Sequence, residues 1–132
     1  MFPLNSRIMI LDDMAMMRKV VSKTLKEIGF TDIQDGADGN LGWDILNKST
    51  PPIQLVISDW NMPNCTGLDL LKKVRADAKF SKLPFLLLTA EAEASQVMAA
   101  MSSGVTGYVI KPFTAETLKE KLEQAYKKVN AK

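Results

Sequence analysis

The sequence predicts an α/β protein built on a doubly wound parallel sheet, and three observations support this. The chain has 132 residues, which is enough for one compact domain with its own core. Short apolar runs alternate with segments whose apolar residues recur at helical spacing, and this happens five times. The apolar runs contain no polar alternation, as expected of strands that are covered on both faces. Such an alternation of strand and helix gives a parallel sheet with helices on both sides.

The first half of the chain contains two strand–helix units. An apolar run at 7–11 predicts a buried strand. Gly29 ends the helix that follows, and the apolar face of this helix consists of Met17, Val20, Val21, Leu25 and Ile28. A weaker strand is expected around Ile33. The helix over 41–46 is expected to end at the Ser-Thr-Pro-Pro sequence of 49–52.

The second half of the chain contains three further units. The strand at 55–57 precedes a helix with a capping-box start, because Asp69 stands three residues after Thr66. A strand at 84–88 and a helix that ends before Gly104 follow. The last unit is a strand at 108–110 and a final helix. The apolar residues at helical spacing that indicate these three helices are Leu70, Leu71, Val74, Val97, Met101, Leu118, Leu122, Ala125 and Val129, and the first three point inward.

Composition excludes several classes of protein. The net charge of +2 comes from dispersed cations, so it gives no evidence for a nucleic-acid partner. Cys65 is the only cysteine, which excludes an internal disulfide and fits a reducing compartment. Histidine is absent, so the chain cannot supply its own catalytic or phosphorylated histidine. The apolar runs are too short to span a bilayer and no signal peptide is visible, so we expect a cytoplasmic protein without membrane insertion.

Polar side chains follow four of the predicted strands at the point where each strand ends. Asp12 and Asp13 follow the first strand, Asp59 the third, Thr89 the fourth and Lys111 the fifth. Taken singly, each has an ordinary explanation: Asp13 as a helix cap, a lone aspartate as a turn residue, a lone threonine or lysine as a loop residue. Because ligands of parallel sheets bind beyond the carboxyl ends of the strands, the whole set favours a functional site.

Three carboxylates at one sheet edge predict a divalent cation. Each like-charge pair at about 4 Å costs about 4 kcal/mol at an effective dielectric near 20. Oxygen ligands in small number, with room for water, suit Mg²⁺ better than Zn²⁺ or Ca²⁺. A carboxylate such as Asp59 can then act as a nucleophile toward a phosphoryl group, with a cation and a hydroxyl donor nearby.

With these residues, the sequence resembles a bacterial response-regulator receiver domain of the stand-alone chemotaxis type. The matching strings are LDDMAMMRKVV, VISDWNMPN, LLLTAEA and GYVIKPFTAETL. The resemblance implies a single receiver domain over 1–132, with five strands in the flavodoxin-like order 2-1-3-4-5 and (βα)5 connectivity. It also implies a sensor histidine kinase as the phosphoryl donor and a cis peptide bond before Pro112.

The resemblance assigns a role to each site residue. Asp59 is the phosphoacceptor, Thr89 and Lys111 contact the phosphoryl oxygens, and Mg²⁺ is the cofactor. Asp13, Asp59 and the backbone carbonyl of Asn61 ligate the metal, and Asp12 acts through a metal-bound water. Residues that tune dephosphorylation are Asn61 and Glu91.

The resemblance further implies a switch that couples Thr89 to Tyr108 and reshapes a partner surface. That surface is formed by Glu91, Ala92, Val97, Met101, Tyr108 and Lys121, although core packing is an alternative for Val97 and Met101. The implied partner is the flagellar motor switch protein or another effector protein, since a chain filled by one domain has no separate output domain. We expect a monomer, because the sequence gives no evidence for a dimer.

The match has departures and leaves rivals. Thr66 replaces an acidic residue of the family and Cys65 an apolar one, while Glu93 and Ala94 stand where chemotaxis proteins carry lysines. One rival is a phosphatase with an aspartyl-phosphate intermediate, which would need an acid at the position of Asn61. The others are a flavodoxin-like cofactor binder, a receiver that works without phosphorylation, and a stand-alone receiver of a non-chemotaxis pathway.

Overall fold

The computed structural model describes residues 2–90 and 94–130 of the chain. Within them, five strands alternate with five helices. The elements are β1 (Arg7–Leu11), α1 (Ala15–Ile28), β2 (Asp32–Gly36), α2 (Gly39–Lys48), β3 (Leu55–Asp59), α3 (Gly67–Ala76), β4 (Phe85–Thr89), α4 (Ala94–Ser102), β5 (Gly107–Ile110) and α5 (Ala115–Asn130).

The described strands form one parallel sheet in the order β2-β1-β3-β4-β5, which confirms the predicted fold. The two faces of the sheet carry separate cores. One contains Val21 and Leu25 from α1 with Leu118 and Leu122 from α5. The other contains side chains from the remaining helices, namely Leu46, Leu70, Leu71, Val74 and Ala100. The sheet is therefore covered on both sides, as its uninterrupted apolar strands predict.

The central strands β3 and β4 are buried along their whole length. Full burial of an aliphatic side chain stabilises the fold by about 1.5–3 kcal/mol, so these strands are its most firmly held part. Both extend further than the apolar pattern indicates, because Asp59 and Thr89 are the last residues of the strands rather than the first residues beyond them. Two candidate site residues are thus fixed by the sheet itself.

Helix boundaries follow the predicted signals. Thr66 accepts a hydrogen bond from the backbone of Asp69, whose side chain in turn accepts one from the Thr66 backbone, so the capping box is present. Gly29 ends α1 with a φ of 127°, a left-handed value that favours glycine. The Lys111–Pro112 peptide bond is cis. Among the described residues, no helix has the length and apolarity needed to cross a bilayer.

The apolar faces of three helices are narrower than predicted. Val21 and Leu25 are buried in α1, but Val20 is 44% exposed. Met101 on α4 is 53% exposed, so the core-packing alternative is wrong for this residue. Val129, at the end of α5, is 38% exposed. Helical spacing alone includes these residues because they border the buried stripe of each helix.

Candidate functional site

The site lies at the carboxyl edge of the sheet, where the ladder of hydrogen bonds continues beyond the strands. The Asp12 amide donates to the Gly36 carbonyl at 3.2 Å, and the Trp60 amide donates to the Leu88 carbonyl at 3.0 Å. The Lys111 amide donates to the Thr89 carbonyl at 2.7 Å. These bonds hold the residues that follow β1, β3 and β5 in register with their neighbours, so their side chains share one edge.

Three carboxyl groups meet there. Asp12, Asp13 and Asp59 each offer an oxygen, and these oxygens all lie within 4.8 Å of one another. Asp12 and Asp59 are buried, with 1% and 8% of their surface exposed, whereas Asp13 is exposed. The predicted convergence of aspartates from distant parts of the chain is therefore present. Ionised carboxylates at this spacing repel one another strongly, because burial removes the water that would screen them.

Lys111 offsets part of this repulsion. Its Nζ lies 2.9 Å from Asp59 Oδ1 and 3.9 Å from Asp12 Oδ2. The lysine side chain is 19% exposed, so the ammonium group is partly withdrawn from water. Among the described residues, Lys111 is the one cation with an ion pair to the carboxyl oxygens of this cluster, so the cluster keeps an excess of negative charge.

The buried Asp12 carboxyl group is incompletely hydrogen-bonded. Its Oδ1 accepts a hydrogen bond from the Met14 amide at 2.9 Å, while its Oδ2 is buried without a hydrogen-bond partner among the described residues. Burial raises the pKa of Asp12, and the neighbouring Asp59 carboxylate raises it further.

Helix α1 has Met14 as its N-cap without a side-chain cap bond, so the alternative explanation of Asp13 as a helix cap is wrong.

These donors fit a hard divalent cation. The buried Oδ2 of Asp12, which accepts no hydrogen bond among the described residues, and the excess negative charge both favour a positive ligand. All the donors are oxygens, and Asp13 leaves one side of the cluster open to water, which suits a partly hydrated Mg²⁺.

Comparison with known proteins identifies the family. The sequence profile of the response regulator receiver domain matches residues 8–123. The chain belongs to the response-regulator receiver family. The chemotaxis protein CheY of Pseudomonas aeruginosa is 43% identical to this receiver over 124 residues, which are 94% of this chain and 98% of that protein. Chemotaxis protein CheY-3 of Vibrio cholerae is 43% identical over 125 residues, or 95% of each chain.

Solved structures support the same assignment. The chemotaxis response regulator CheY4 of Vibrio cholerae superposes with a TM-score of 0.83 at 31% identity, covering 92% of this chain and 98% of that one. This receiver is therefore CheY-like in sequence and in fold. Receivers of this family bind Mg²⁺ at the acidic pocket, and the aspartate cluster has the composition for it.

Thr89 and Asn61 are two further predicted site residues that the structure describes. Thr89 is 7% exposed and ends β4, next to the strand that ends in Asp59. Asn61 is exposed in the loop after β3, and its role as a metal ligand stays a prediction. Glu91, Ala92 and Glu93 lie outside the described residues.

Three of the residues predicted for the partner surface line one cleft. Tyr108 on β5 is half-buried, and Lys121 Nζ from α5 lies 5.5 Å from the centre of its ring. Met101, Tyr108 and Lys121 line a cleft of about 240 Å³ between α4, β5 and α5. Val97 is half-buried on α4, four residues before Met101 and on the same side of the helix.

Sequence reasoning missed one support of the site. Arg18 Nη1 donates to the main-chain carbonyl of Asp12 at 2.7 Å, and its Nε pairs with Asp35 at 3.1 Å. The arginine thus ties α1 to the segment that carries the buried acid. Its acceptor on Asp12 is a backbone oxygen, which no pattern of side chains can indicate.

Proposed function

We propose that this receiver accepts a phosphoryl group on Asp59 from a phosphohistidine of a sensor histidine kinase, with Mg²⁺ bound in the aspartate cluster. The observation that carries the proposal is the environment of Asp59. A buried carboxylate has a lysine ammonium at 2.9 Å and two further acids within 4.8 Å. This combination provides a nucleophile, a cation for phosphoryl oxygens and donors for a metal.

The transfer uses the chain's residues as follows. A carboxylate oxygen of Asp59 forms a bond to phosphorus while the bond from phosphorus to the histidine nitrogen breaks, and that nitrogen keeps the electron pair. The Lys111 ammonium, already beside Asp59, pairs with a phosphoryl oxygen, and the Thr89 hydroxyl donates to another. Asp12, Asp13, Asp59 and the Asn61 carbonyl would hold Mg²⁺, which supplies positive charge for the transferred group.

The direct test is phosphoryl uptake from acetyl phosphate in the presence of Mg²⁺. Wild-type protein should incorporate about one phosphoryl group per chain, as intact-protein mass spectrometry measures, because Asp59 is the single proposed acceptor. Asp59→Asn should incorporate none, since a carboxamide is a poor nucleophile. Asp44→Asn is the matched control: Asp44 is 65% exposed on α2 and pairs only with Lys48 among the described residues, so uptake should match wild type. Equal labelling of Asp59→Asn and wild type would exclude Asp59 as the acceptor.

The same experiment separates a receiver from a phosphatase. The phosphatase rival needs a general acid two residues after the nucleophile, and this chain has Asn61 there. We therefore expect slow loss of a single phosphoryl group, tuned by Asn61 and Glu91. Repeated turnover of a simple phosphate ester would favour the enzyme.

For the output, we propose that one receiver domain over 1–132 acts as a cytoplasmic monomer. The phosphoryl group carries about −1.5 to −2 charges and replaces the single charge of the Asp59 carboxylate, and Thr89 and Tyr108 transmit the change to the cleft between α4, β5 and α5. Ala92, Val97, Met101 and Lys121 complete that surface. Its partner is the flagellar motor switch protein, or another effector if the pathway is not chemotaxis.

Binding of purified motor switch protein tests this output. Beryllofluoride, which mimics the phosphoryl group, should increase the affinity of wild-type receiver for it. Tyr108→Ala should lose the increase while still taking up phosphoryl from acetyl phosphate. Unchanged affinity of wild type with and without beryllofluoride would favour another effector.

A further inference from the structure

The loop after Asp59 contacts the start of a helix that comes earlier in the chain. The Gly39 amide, the first of α2, donates to the Cys65 carbonyl at 3.3 Å. The Asn64 side chain donates to Asp38 Oδ2 at 3.4 Å. Asp38 is also the N-cap of α2, since its Oδ1 accepts from the Leu41 amide at 2.9 Å. Both oxygens of one carboxylate are therefore used, one to begin the helix and one to hold the loop.

Packing makes this contact tight. Gly39 is buried, and a methyl group at its Cα would lie 2.5 Å from Cys65 Sγ and 2.9 Å from the Cys65 carbonyl oxygen. No side chain fits there unless the helix or the loop moves. Glycine at this position lets the two backbones approach, and Cys65, only 6% exposed, fills the space between them.

The loop is constrained from within as well. Asn64 has a φ of 67°, a left-handed value that few residues other than glycine and asparagine adopt. The Gly67 amide donates to the Trp60 carbonyl at 3.0 Å and closes the loop at its base. Held at its base and against α2, the loop between Trp60 and Gly67 has little freedom to change the position of Asn61.

We propose that Asp38 and Gly39 are positioning residues for the metal site, because they fix the loop that carries the Asn61 carbonyl. This inference rests on the proposed function, in which that carbonyl is a metal ligand. It assigns to the N-terminus of α2 a role in setting Mg²⁺ affinity, although neither residue belongs to the aspartate cluster. Groups that orient ligands from outside typically change metal affinity by about 10- to 100-fold when they are altered.

The test is Mg²⁺ affinity, measured by calorimetry on the full chain. Gly39→Ala should raise the Mg²⁺ dissociation constant by about tenfold, because the added methyl group displaces the loop. Gly104→Ala is the matched control. Gly104 has a φ of 87° and lies against Arg75 near the amino ends of β4 and β5, so alanine there strains the fold without touching the loop. This control should be less stable than wild type and bind Mg²⁺ with unchanged affinity.

A second variant keeps the test decisive if Gly39→Ala does not fold. Asp38→Ser retains an oxygen that caps α2 but is too short to reach Asn64 as well. It should raise the Mg²⁺ dissociation constant by about twofold, as expected for the loss of one exposed hydrogen bond. Wild-type affinity in Asp38→Ser, or in a folded Gly39→Ala, would overturn the positioning role alone. Failure of wild-type protein to bind Mg²⁺ would overturn the proposed function together with it.

Discussion

Two charged side chains, the half-buried Arg75 and the buried Asp12, lie at opposite edges of the sheet and differ in how completely they are paired. Arg75, near the amino ends of β4 and β5, donates from Nε to the Gly104 carbonyl at 2.8 Å and from Nη1 to the Leu83 carbonyl at 2.7 Å. Further contacts reach the Phe80 carbonyl and Thr106 Oγ1, both at 3.4 Å. Asp12, at the carboxyl edge, has one oxygen hydrogen-bonded and the other buried without a hydrogen-bond partner among the described residues.

The difference distinguishes a charge that the fold itself pairs from one that the proposed metal site would pair. Backbone carbonyls accept hydrogen bonds from the Arg75 guanidinium, so this charge is paired within the fold. Burial lowers the pKa of Arg75. Asp12 instead shares its surroundings with two more acids and one lysine. A buried charge that the protein leaves incompletely paired is destabilising, and it persists where a ligand or a reaction uses it.

The largest effect on stability should come from Arg75. Arg75→Met keeps much of the side-chain volume but leaves the carbonyls of Leu83 and Gly104 without their donor. We expect the free energy of unfolding to fall by about 2–3 kcal/mol, measured by urea denaturation, because the two shortest hydrogen bonds of a charged donor, one of them part-buried, are lost. Mg²⁺ affinity should be unchanged. A loss of Mg²⁺ affinity in this variant would show that the two edges are not independent.

Asp12→Asn should raise the free energy of unfolding of the Mg²⁺-free protein, whereas Arg75→Met lowers it. Asparagine retains the acceptor for the Met14 amide and removes one negative charge from the cluster. We expect the free energy of unfolding of the Mg²⁺-free protein to rise by about 1 kcal/mol, since repulsion between the carboxylates falls. Mg²⁺ should then stabilise the variant much less than it stabilises wild type. Urea denaturation with EDTA and with Mg²⁺ measures both effects, and a variant less stable than wild type in EDTA would contradict this account.

Lys111→Ala tests the counter-ion of the cluster. Its loss removes the cation that lies 2.9 Å from Asp59, so the Mg²⁺-free protein should lose about 1 kcal/mol of unfolding free energy. Calorimetry should still detect Mg²⁺ binding, because the carboxylates remain. Downstream signalling should be poor, since no ammonium group pairs with the phosphoryl oxygens. An unchanged motor-protein response to beryllofluoride would exclude this role for Lys111.

The fold and the convergence of the site could be predicted because both follow from strand ends. Four apolar runs and a weaker strand around Ile33, separated by helical patterns, predict a parallel sheet, and such a sheet brings Asp12, Asp59, Thr89 and Lys111 to one edge whatever the loops do. The roles of these residues rest on the family resemblance and not on the pattern itself.

What could not be predicted depends on backbone oxygens and on close packing. The acceptors of Arg18 and Arg75 are mainly carbonyls, which are the same in every residue and leave no trace in a sequence. The contact of Gly39 with Cys65 needs the relative position of two segments that are 26 residues apart. Helical spacing groups Val20 and Met101 with the apolar residues of their helices, but it does not show how wide the buried stripe is.

We expect the smallest effect on the free energy of unfolding from Lys121, a charged residue near the protein surface. Lys121 Nζ lies over the ring of Tyr108 at 5.5 Å, and a cation–π contact at such a site contributes about 0.5–1 kcal/mol. Lys121→Met should therefore lower the unfolding free energy by no more than that amount, and exposed Lys119→Met on the same helix should have no measurable effect. Lys121 lines the proposed partner cleft, so its substitution should weaken motor-protein binding more than it weakens the fold. A stability loss as large as that of Arg75→Met would mean that Tyr108 is held mainly by this lysine, and the cleft would then be part of the structural framework and not an adaptable surface.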